Sequence, residues 1–537
     1  MVLLPRFLQI FLLALFASLA VSSMAQKSPT WDETHYLGIG VYLAKERSWD
    51  VPSAHLHPPL SFYLNSLPFL FLRPDFSCFE KGPTGDYFSA VKRGNCLMEK
   101  SGLKEDHLLF YSRLPMVFIG ALLGCYVFIW ATELYGAGGG LFSLFLFCLC
   151  PNMLAHTQLI TPDICLTAFG FIGFYYCWSG IKTYSKGKAA LAGLFLGLAL
   201  LSKYSALLWF PVFLAATACL HLKGSNVGKI KASALFLGII LLVSIFIFLF
   251  GYLFHAGEFF YGINLQHSLV SRGEPAFMKG EVSHSGWLCY YLFAFLIKVP
   301  VPMLVFLLMR CFLFKWVKGP KWVDTAFLLL PVISFLGIFS LLKTVNIGLR
   351  YILPVFPFLM VWAGGLAALN IYKKAYKRIL NLFITVGLLF YGASGLSIHP
   401  HYLAYFNEII GGPENGYKYL VDSNLDWGQD LKGVRDYMVK NGIKEIKLSY
   451  FGTVDPILYG INYRAFPGNI VLDKKRLSGE IVKGEIVGIS ATNLYPVHAN
   501  LEKVAEHFRN KKPLAVIGHS IFLYKSDIAA LMSFPEK

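Results

Sequence analysis

Two adjacent carboxylates, Asp32 and Glu33, stand in the segment WDETHY, a few residues after a long apolar run near the N-terminus. Carboxylates so close to lipid are costly to desolvate unless they meet partners. Proximity to lipid raises the pKa of a carboxyl group, which brings it nearer to the value that a general base needs at neutral pH. The pair could therefore take a proton from a buried polar substrate. A solvated loop at the membrane interface is the plainer alternative.

Other ionisable residues stand where later apolar runs begin or end. The segment HTQLITPD carries His156 and Asp163, LSKYS carries Lys203, NIGLRYILP carries Arg350, and Arg113 opens a further run. If these ends lie at one face of the membrane, they form a rim of acids and bases with enough positive charge to hold a phosphate. Each cation taken alone could instead extend its charged end to the interface or pair with a structural acid.

The elements that would position these residues are membrane-spanning helices. Of the 537 residues, 56% are hydrophobic and 15% are charged, which leaves too little polar surface for a soluble globule. Apolar runs of about 17 to 25 residues predict about eleven spans. They lie near 5–24, 113–133, 140–156, 164–181, 189–202, 205–222, 232–254, 287–314, 324–342, 350–369 and 379–397. The shorter run 59–72 contains Pro68 and predicts a helix on the membrane surface.

The predicted membrane topology explains much of the net charge of +17. Four short loops, 182–188, 223–231, 315–321 and 373–378, contain lysine or arginine and no acid, which is typical of cytoplasmic loops. An N-terminus inside then puts Asp32 and the C-terminus outside, and nucleic-acid binding is not needed to explain the charge. The first run could also be a cleavable signal peptide, because Ser-Met-Ala at 23–25 fits the cleavage pattern.

Two outward regions are large: residues 25–112 and the tail from 398 onward. In the tail, β-forming runs at 444–451, 484–491 and 513–524 alternate with helical patterns at 426–440 and 499–511. Asn424 or Asp426 is expected to cap the first tail helix, with Gly442 just past its end. The chain is therefore predicted to divide into a membrane domain, 1–397, and a small extracytoplasmic α/β domain, 398–537.

Three outward features have alternative explanations. The segment 422–430 resembles the start of a calcium loop, but its glycine falls one place late and the bidentate glutamate is missing, so a helix cap is preferred. His399 and His401 could bind a metal or assist an acceptor, although an interfacial role is the simpler interpretation. Cys78 and Cys96 share one outward loop and could form a disulfide.

Five short motifs, in this order along the chain, carry a family resemblance. They are the acidic pair 32–33 after the first span, HPP at 57–59, RLP at 113–115, TPD at 161–163 and LSK at 201–203. Over roughly residues 25–365 the chain resembles the GT-C glycosyltransferases of family 39, which include protein O-mannosyltransferases and bacterial lipid A aminoarabinose transferases. The tail resembles the C-terminal module of bacterial members.

The resemblance implies transfer of a sugar from a polyprenyl-phosphate carrier to a hydroxyl or phosphate of a protein, lipid or glycan acceptor. It places the enzyme in the inner membrane of a bacterium, with its active site on the periplasmic side. A phosphate leaving group stabilised by fixed cations, with a base for the acceptor hydroxyl, predicts a single-step displacement with inversion at the anomeric carbon. The catalytic carboxylates would be Asp32 as base, Glu33 as its neighbour and Asp163. The donor phosphate would be bound by His57, Arg113, Lys203 and Arg350. Further substrate contacts would come from His35, Tyr36 and His156.

The resemblance leaves several points open. His57 stands where the aminoarabinose transferases carry a lysine, and it is closer to the mannosyltransferase pattern, so the sugar is not fixed. A divalent cation is an open alternative for charge neutralisation. A transporter or lipid flippase with a charged outer gate is the rival function, and a non-catalytic family member is a third.

Overall fold

The computed structural model describes residues 3–46, 52–72, 74–75, 77, 87–103, 106–221, 226–342, 345–371, 373–466, 480–495, 497, 502–527 and 530–531. The described residues up to 397 are mainly helical, with one short antiparallel strand pair at 276–283, and a small mixed sheet follows in the tail. The prediction of a polytopic helical membrane protein with a small α/β tail is therefore confirmed.

The helices before the tail include the long apolar ones and several short connecting ones. They are α1 (Leu3–Ala25), α2 (Glu33–Glu46), α3 (Leu60–Ser66), α4 (Phe69–Leu72), α5 (Tyr87–Lys100), α6 (His107–Cys148), α7 (Pro151–Thr157), α8 (Pro162–Ile181), α9 (Lys186–Leu200), α10 (Trp209–Ala218), α11 (Val227–Gly251), α12 (Gly257–Arg272), α13 (Tyr290–Lys298), α14 (Val301–Phe312), α15 (Trp322–Leu341), α16 (Val355–Gly364) and α17 (Lys374–Ser397).

Among the described residues, seven helices are long and apolar enough to cross a membrane, or eight if α13 and α14, bent by 112°, form one span. Three of the eleven predicted spans account for the difference. The second half of α6 follows Gly136, whose φ of 76° breaks the helix in two. α9 has only 15 residues, and the run Val355–Ala368 is also short. Every predicted span coincides with helix, and the count of eleven stays a prediction.

The short run 59–72 forms α3 and α4, which are separated at Leu67 and Pro68. A proline inside a helix removes a backbone donor and crowds the preceding turn, which explains the break. Phe71 on α4 is largely exposed, as an interfacial or lipid-facing position would be.

The tail holds a five-stranded sheet and two helices. The strands of the chain are β1 (Ala276–Met278), β2 (Glu281–Ser283), β3 (Ile446–Ser449), β4 (Tyr463–Ala465), β5 (Glu480–Ile481), β6 (Ile486–Ser490), β7 (Ala515–Ile517), β8 (Ile521–Lys525) and β9 (Ala530–Leu531), and the tail helices are α18 (Leu431–Lys440) and α19 (Glu502–Arg509).

The sheet order is β4-β3-β6-β8-β7. β3 is parallel to both β4 and β6, whereas β8 runs antiparallel to β6 and β7. The predicted run 513–524 is therefore a hairpin of two strands. The predicted helix 426–440 is α18 from Leu431 onward, and the predicted helix 499–511 contains α19, which ends at Arg509. Residues 499–501 lie outside the described residues.

The expected cap of the first tail helix is wrong. α18 begins at Leu431, after Asp430, rather than near Asn424 or Asp426. Asn424 instead accepts a hydrogen bond from the Leu349 amide, and Asp426 accepts one from the Thr492 amide. Both side chains are committed to distant backbone, so neither is available for a local cap. The predicted stop at Gly442 is confirmed, because it follows the helix with a φ of 64°.

The cysteines of the apolar runs are free thiols. Cys96 is disulfide-bonded, and Cys78, its predicted partner, lies outside the described residues.

α2 and α5 pack against each other at glycine. A Cβ atom at Gly94 of α5 would overlap the carbonyl oxygen of Thr34 in α2, and one at Gly38 of α2 would overlap that of Ala90. Because α2 begins at Glu33, directly after Asp32, this close approach fixes where the acidic pair enters the helix.

We expect Gly94→Ala to force α2 and α5 apart and to lower the melting temperature of the protein purified in detergent. Overpacking of this kind typically costs about 1–3 kcal/mol. Gly187→Ala is the control, because a Cβ there meets no atom within 4 Å. Equal melting temperatures of the two variants would contradict the packing argument.

Candidate active site

Four charged side chains of alternating sign lie in a row at the ends of helices and 3₁₀ turns. Lys203 Nζ donates to Asp163 Oδ1 at 2.7 Å, and Arg350 Nη1 donates to Asp32 Oδ2 at 3.1 Å. Arg350 Nη1 also lies 3.9 Å from Asp163 Oδ2, so one guanidinium nitrogen stands between the two carboxylates. The structure thus brings together Asp32, Asp163, Lys203 and Arg350, which are far apart in the sequence.

Local structure places each of these groups at the end of an element. Asp163 lies in the first turn of α8, which begins at Pro162, a residue whose missing N–H is no loss at a helix start. Lys203 is extended and precedes the 3₁₀ turn Tyr204–Leu208. Arg350 lies in the 3₁₀ turn Leu349–Ile352 that leads to α16. Side chains at element ends can converge, because they project beyond the helix packing.

The two site carboxylates differ in accessibility. The side chain of Asp163 is 0% exposed, whereas that of Asp32 is 20% exposed. Besides Arg350, the hydroxyl group of Tyr87 donates to Asp32 Oδ1 at 3.4 Å. Burial raises the pKa of Asp32, and the charge of Arg350 offsets part of that rise. Asp32 is therefore both reachable and more basic than an ordinary aspartate.

Glu33 does not join this chain of charges. Its carboxylate pairs with Arg113, which donates from Nε at 2.8 Å and from Nη2 at 2.5 Å. It also accepts from the backbone amides of Thr30 and Ile160. Both partners are fully buried. Glu33 is thus buried, and each of its two carboxylate oxygens accepts hydrogen bonds from Arg113 and from backbone amides.

The donors of Arg113 are also used in hydrogen bonds within the protein. Besides Glu33, it donates to the carbonyl oxygens of Met24, Lys27 and Ser28 at 3.1 to 3.2 Å. These bonds hold the end of α1 against α6 and the segment that leads to Asp32. The structure therefore places these donors of Arg113 on protein atoms, and no described contact joins Arg113 to Lys203 or Arg350, with which it was predicted to bind a phosphate.

An aromatic wall stands beside Asp32. The rings of His35 and Tyr87 stack with centroids 4.5 Å apart, and those of Tyr36 and His57 stack at 5.8 Å. Burial lowers the pKa of His57 to about 3, with the charge of Lys203 adding to the effect. At neutral pH His57 is uncharged, so it can offer a hydrogen bond and no positive charge.

Several buried polar atoms around Asp163 make no hydrogen bond to the described part of the chain. They are Tyr36 Oη, His57 Nδ1, His156 Nδ1, Thr161 Oγ1, Asp163 Oδ2 and Arg350 Nε. Buried polar groups are normally paired, and a cluster of exceptions is typical of a site that binds a polar ligand or water. The cluster includes the predicted substrate contacts Tyr36 and His156.

The cations Arg350 and Lys203 each lie against the face of an aromatic ring. The sequence did not predict these two rings. Arg350 Cζ lies 4.3 Å from the centroid of the Trp427 ring, and Lys203 Nζ lies 4.4 Å from that of Tyr351. Cation–π contacts of this kind orient a guanidinium or an ammonium group. Tyr351 follows Arg350 directly, but Trp427 comes from the tail.

Within the described ranges, no three His, Cys, Asp or Glu side chains converge as metal ligands would. In the calcium-like segment, Asp430 pairs with Lys27 at 2.5 Å, whereas Asp422 accepts a hydrogen bond from the Ser423 amide. His401 Nδ1 lies 2.5 Å from Lys27 Nζ, and His399 Nε2 lies 3.2 Å from Ser22 Oγ. The described residues therefore offer no ready set of ligands for a divalent cation.

Comparison with known proteins agrees with this architecture. Residues 106–250 match the family model described as dolichyl-phosphate-mannose-protein mannosyltransferase. No curated protein matches the sequence. The stretch that matches contains Arg113, Asp163 and Lys203.

Two solved structures of ArnT from Cupriavidus metallidurans are similar over nearly the whole length. The one bound to undecaprenyl phosphate has a TM-score of 0.50 and 12% identity, and the apo form has 0.50 and 13%. Each comparison covers 96% of this chain and 97% of ArnT. The S. cerevisiae protein O-mannosyltransferase Pmt1-Pmt2 complex bound to the sugar donor gives 0.37 at 18% identity, over 48% of this chain and 34% of that one. The chain thus has the fold of ArnT, including the tail.

We expect Glu33→Gln to lower the melting temperature strongly, because it leaves the Arg113 charge buried without its partner. Breaking one side of a buried ion pair typically costs about 3–5 kcal/mol. Glu258→Gln, which removes the more exposed partner of His55, is the control and should change little.

The double variant Glu33→Gln with Arg113→Met removes both charges and should regain part of the lost stability. A Glu33→Gln protein that melts like the wild type would contradict the structural role of this pair.

Proposed function

We propose that the chain is a glycosyltransferase of the GT-C class that transfers a sugar from a polyprenyl-phosphate carrier to an acceptor, with Asp32 as general base. The observation that carries the proposal is the shared guanidinium of Arg350, which joins an accessible carboxylate to a buried pair of opposite charges. A base and a phosphate-binding cation are thereby held side by side.

A lipid phosphate is a leaving group that needs its charge offset more than it needs a proton. Lys203 and Arg350 are two cations at one place, and Arg350 Nε has no hydrogen-bond partner among the described residues. Fixed donors aimed at developing charge in a water-poor site stabilise a transition state strongly. We assign the phosphate of the donor to this pair.

In the proposed step, an acceptor hydroxyl gives its proton to the Asp32 carboxylate while its oxygen bonds to the anomeric carbon. The bond from that carbon to the phosphate oxygen breaks, and its electron pair stays on the phosphate. Attack opposite the leaving group inverts the anomeric carbon. Asp32 then releases the proton to water, which restores the carboxylate for the next cycle.

The other carboxylates have supporting roles in this scheme. Asp163 is buried and lies between Lys203 and Arg350, so we assign it to holding the two cations in place. Glu33 and Arg113 hold the segment that carries Asp32 and do not touch the substrate. Tyr36, His57 and His156 offer polar atoms to the hydroxyls of the sugar, and His35 supports Tyr87.

We place the site at the periplasmic face of a bacterial inner membrane. α9 begins at Lys186, in a lysine-rich loop, and ends at Leu200, close to Lys203. The helix therefore separates a cytoplasmic signature from the site. The similarity to ArnT supports a bacterial setting and an undecaprenyl-phosphate type of carrier. Protein, lipid and glycan acceptors all fit the scheme.

We expect Asp32→Asn to reduce sugar transfer by about 10²- to 10⁴-fold, which is the usual contribution of general base catalysis. The assay uses purified protein in proteoliposomes, a panel of radiolabelled polyprenyl-phosphate sugars, and bacterial membrane extract as the source of acceptor. Asp436→Asn is the matched control, because this aspartate is exposed on α18 and lies outside the site.

The same assay separates the rival function. A transporter or flippase would move the labelled lipid across the bilayer without breaking the bond between sugar and phosphate. Intact donor after incubation, or full transfer by both Asp32→Asn and Asp163→Asn, would contradict the proposal.

The pH dependence of kcat/KM should follow the raised pKa of Asp32. The base acts only when it is ionised, so activity should fall as the pH drops through a value above the ordinary 3.8 of an aspartate. A pH–rate profile of the wild-type protein measures this limb. Activity that stays constant down to pH 4 would argue against Asp32 as the base.

A further inference from the structure

The tail segment 422–430 lies directly on the residues assigned to catalysis. Backbone hydrogen bonds join it to the segment before Asp32: the Trp31 amide donates to the Trp427 carbonyl at 2.7 Å, and the Ser28 amide donates to that of Gln429 at 3.0 Å. Ser28 Oγ also donates to the Gly428 carbonyl at 3.1 Å. The strip that ends at Asp32 is thus paired with a strip of the tail.

The same tail segment is also hydrogen-bonded to the turn that carries Arg350. Asn424 Oδ1 accepts from the Leu349 amide at 2.9 Å, and Ser423 Oγ donates to the Ile347 carbonyl at 3.1 Å. The Trp427 ring then covers the guanidinium itself at 4.3 Å. Arg350 is therefore held by its backbone and by one face of its side chain.

Buried charges fasten the segment at both ends. Lys298 Nζ donates to the carbonyl oxygen of Asn424, and also to those of Leu403 and Tyr405 at 2.9 and 3.0 Å. At the other end Asp430 pairs with Lys27, and Ser520 Oγ donates to Asp430 Oδ2 at 2.6 Å. Because these buried hydrogen bonds and ion pairs hold the segment 422–430 near both of its ends, we take it as a fixed support for Arg350.

These contacts close a ring: Asp32 pairs with Arg350, Arg350 stacks on Trp427, and the backbone of Trp427 bonds to Trp31, the neighbour of Asp32. We infer that Trp427 is a positioning residue for Arg350, and that the tail segment 422–430 completes the active site. The inference rests on the proposed function of Arg350 and Asp32. It gives the tail a role in the reaction itself.

A flat aromatic face is what the position requires. Arg350 must present Nη1 to the two carboxylates and keep its remaining donors free for a phosphate. A hydrogen-bonding partner would occupy those donors, whereas an indole ring orients the guanidinium plane without using them. Trp427 is 2% exposed, so it also keeps water from that face.

The test compares Trp427→Leu with Trp427→Phe in the full-length protein. We expect the leucine variant to lose about 10-fold in kcat/KM, and the phenylalanine variant, which keeps an aromatic face, to lose less than about 3-fold. Loss of the face frees Arg350 to leave Asp32, which raises the pKa of Asp32 further. The acid limb of the pH–rate profile should therefore move to higher pH in the leucine variant.

Trp130→Leu is the matched control for lost packing. Trp130 is fully buried among the rings of Phe171 and Trp178, away from the charges of the site. Its loss should lower the melting temperature without moving the acid limb. Wild-type kinetics in Trp427→Leu, or equal losses in both Trp427 variants with an unmoved acid limb, would overturn the inference.

A second measurement does not depend on turnover. Undecaprenyl phosphate is titrated into labelled protein in detergent, and its Kd is read by thermophoresis. We expect the Kd to rise about 10-fold in Trp427→Leu and less than about 3-fold in Trp427→Phe. A wild type that binds this lipid but transfers no sugar would contradict the proposed function alone, and the Kd values of the variants would still decide the role of Trp427.

Discussion

A single guanidinium nitrogen between two carboxylates is the contact on which the site depends. In a region of low dielectric, a charge is tolerated only where opposite charge lies beside it. The four charged residues of the site satisfy this rule, because each has a neighbour of opposite sign. Their spatial order is Lys203, Asp163, Arg350, Asp32. The four segments that carry them cannot shift independently, because any displacement leaves a charge uncompensated. In the proposed function, a donor phosphate would enter this balance as a third anion, beside the Arg350 donors that the carboxylates leave free.

The membrane fold and the rim of charges could be predicted because both follow from the cost of polarity near lipid. Asp163, Lys203 and Arg350 were found as charged residues at the ends of apolar runs. Alternation of the spans put these ends on the same side as Asp32. The strand and helix patterns of the tail were also correct for most elements. Length and hydropathy decide such features locally, without knowledge of any distant contact.

What could not be predicted was the choice of partner. Arg113 and Arg350 both open apolar runs near the acidic pair, yet Arg113 encloses Glu33 whereas Arg350 is shared with Asp32. Asn424 was expected to cap a helix because asparagine is favoured at that position. Its side chain instead accepts a hydrogen bond from the backbone amide of Leu349, which is distant in the sequence. Trp427 and Tyr87 gave no signal, since an aromatic residue in an outward region is usually ordinary packing. Each of these outcomes depends on contacts between distant parts of the chain.

The pairing of residues 28–31 with 427–429 also sets an order for biogenesis. The first strip is synthesised early and the second only after the last predicted span, so their hydrogen bonds join segments 400 residues apart in the sequence. Contacts between residues so far apart form late, because the loop between them must close first. Until the tail segment has docked, Arg350 lacks its indole cover and the strip before Asp32 lacks its partner. The chain is therefore synthesised with all four charged residues in place before the tail residues that hold two of them.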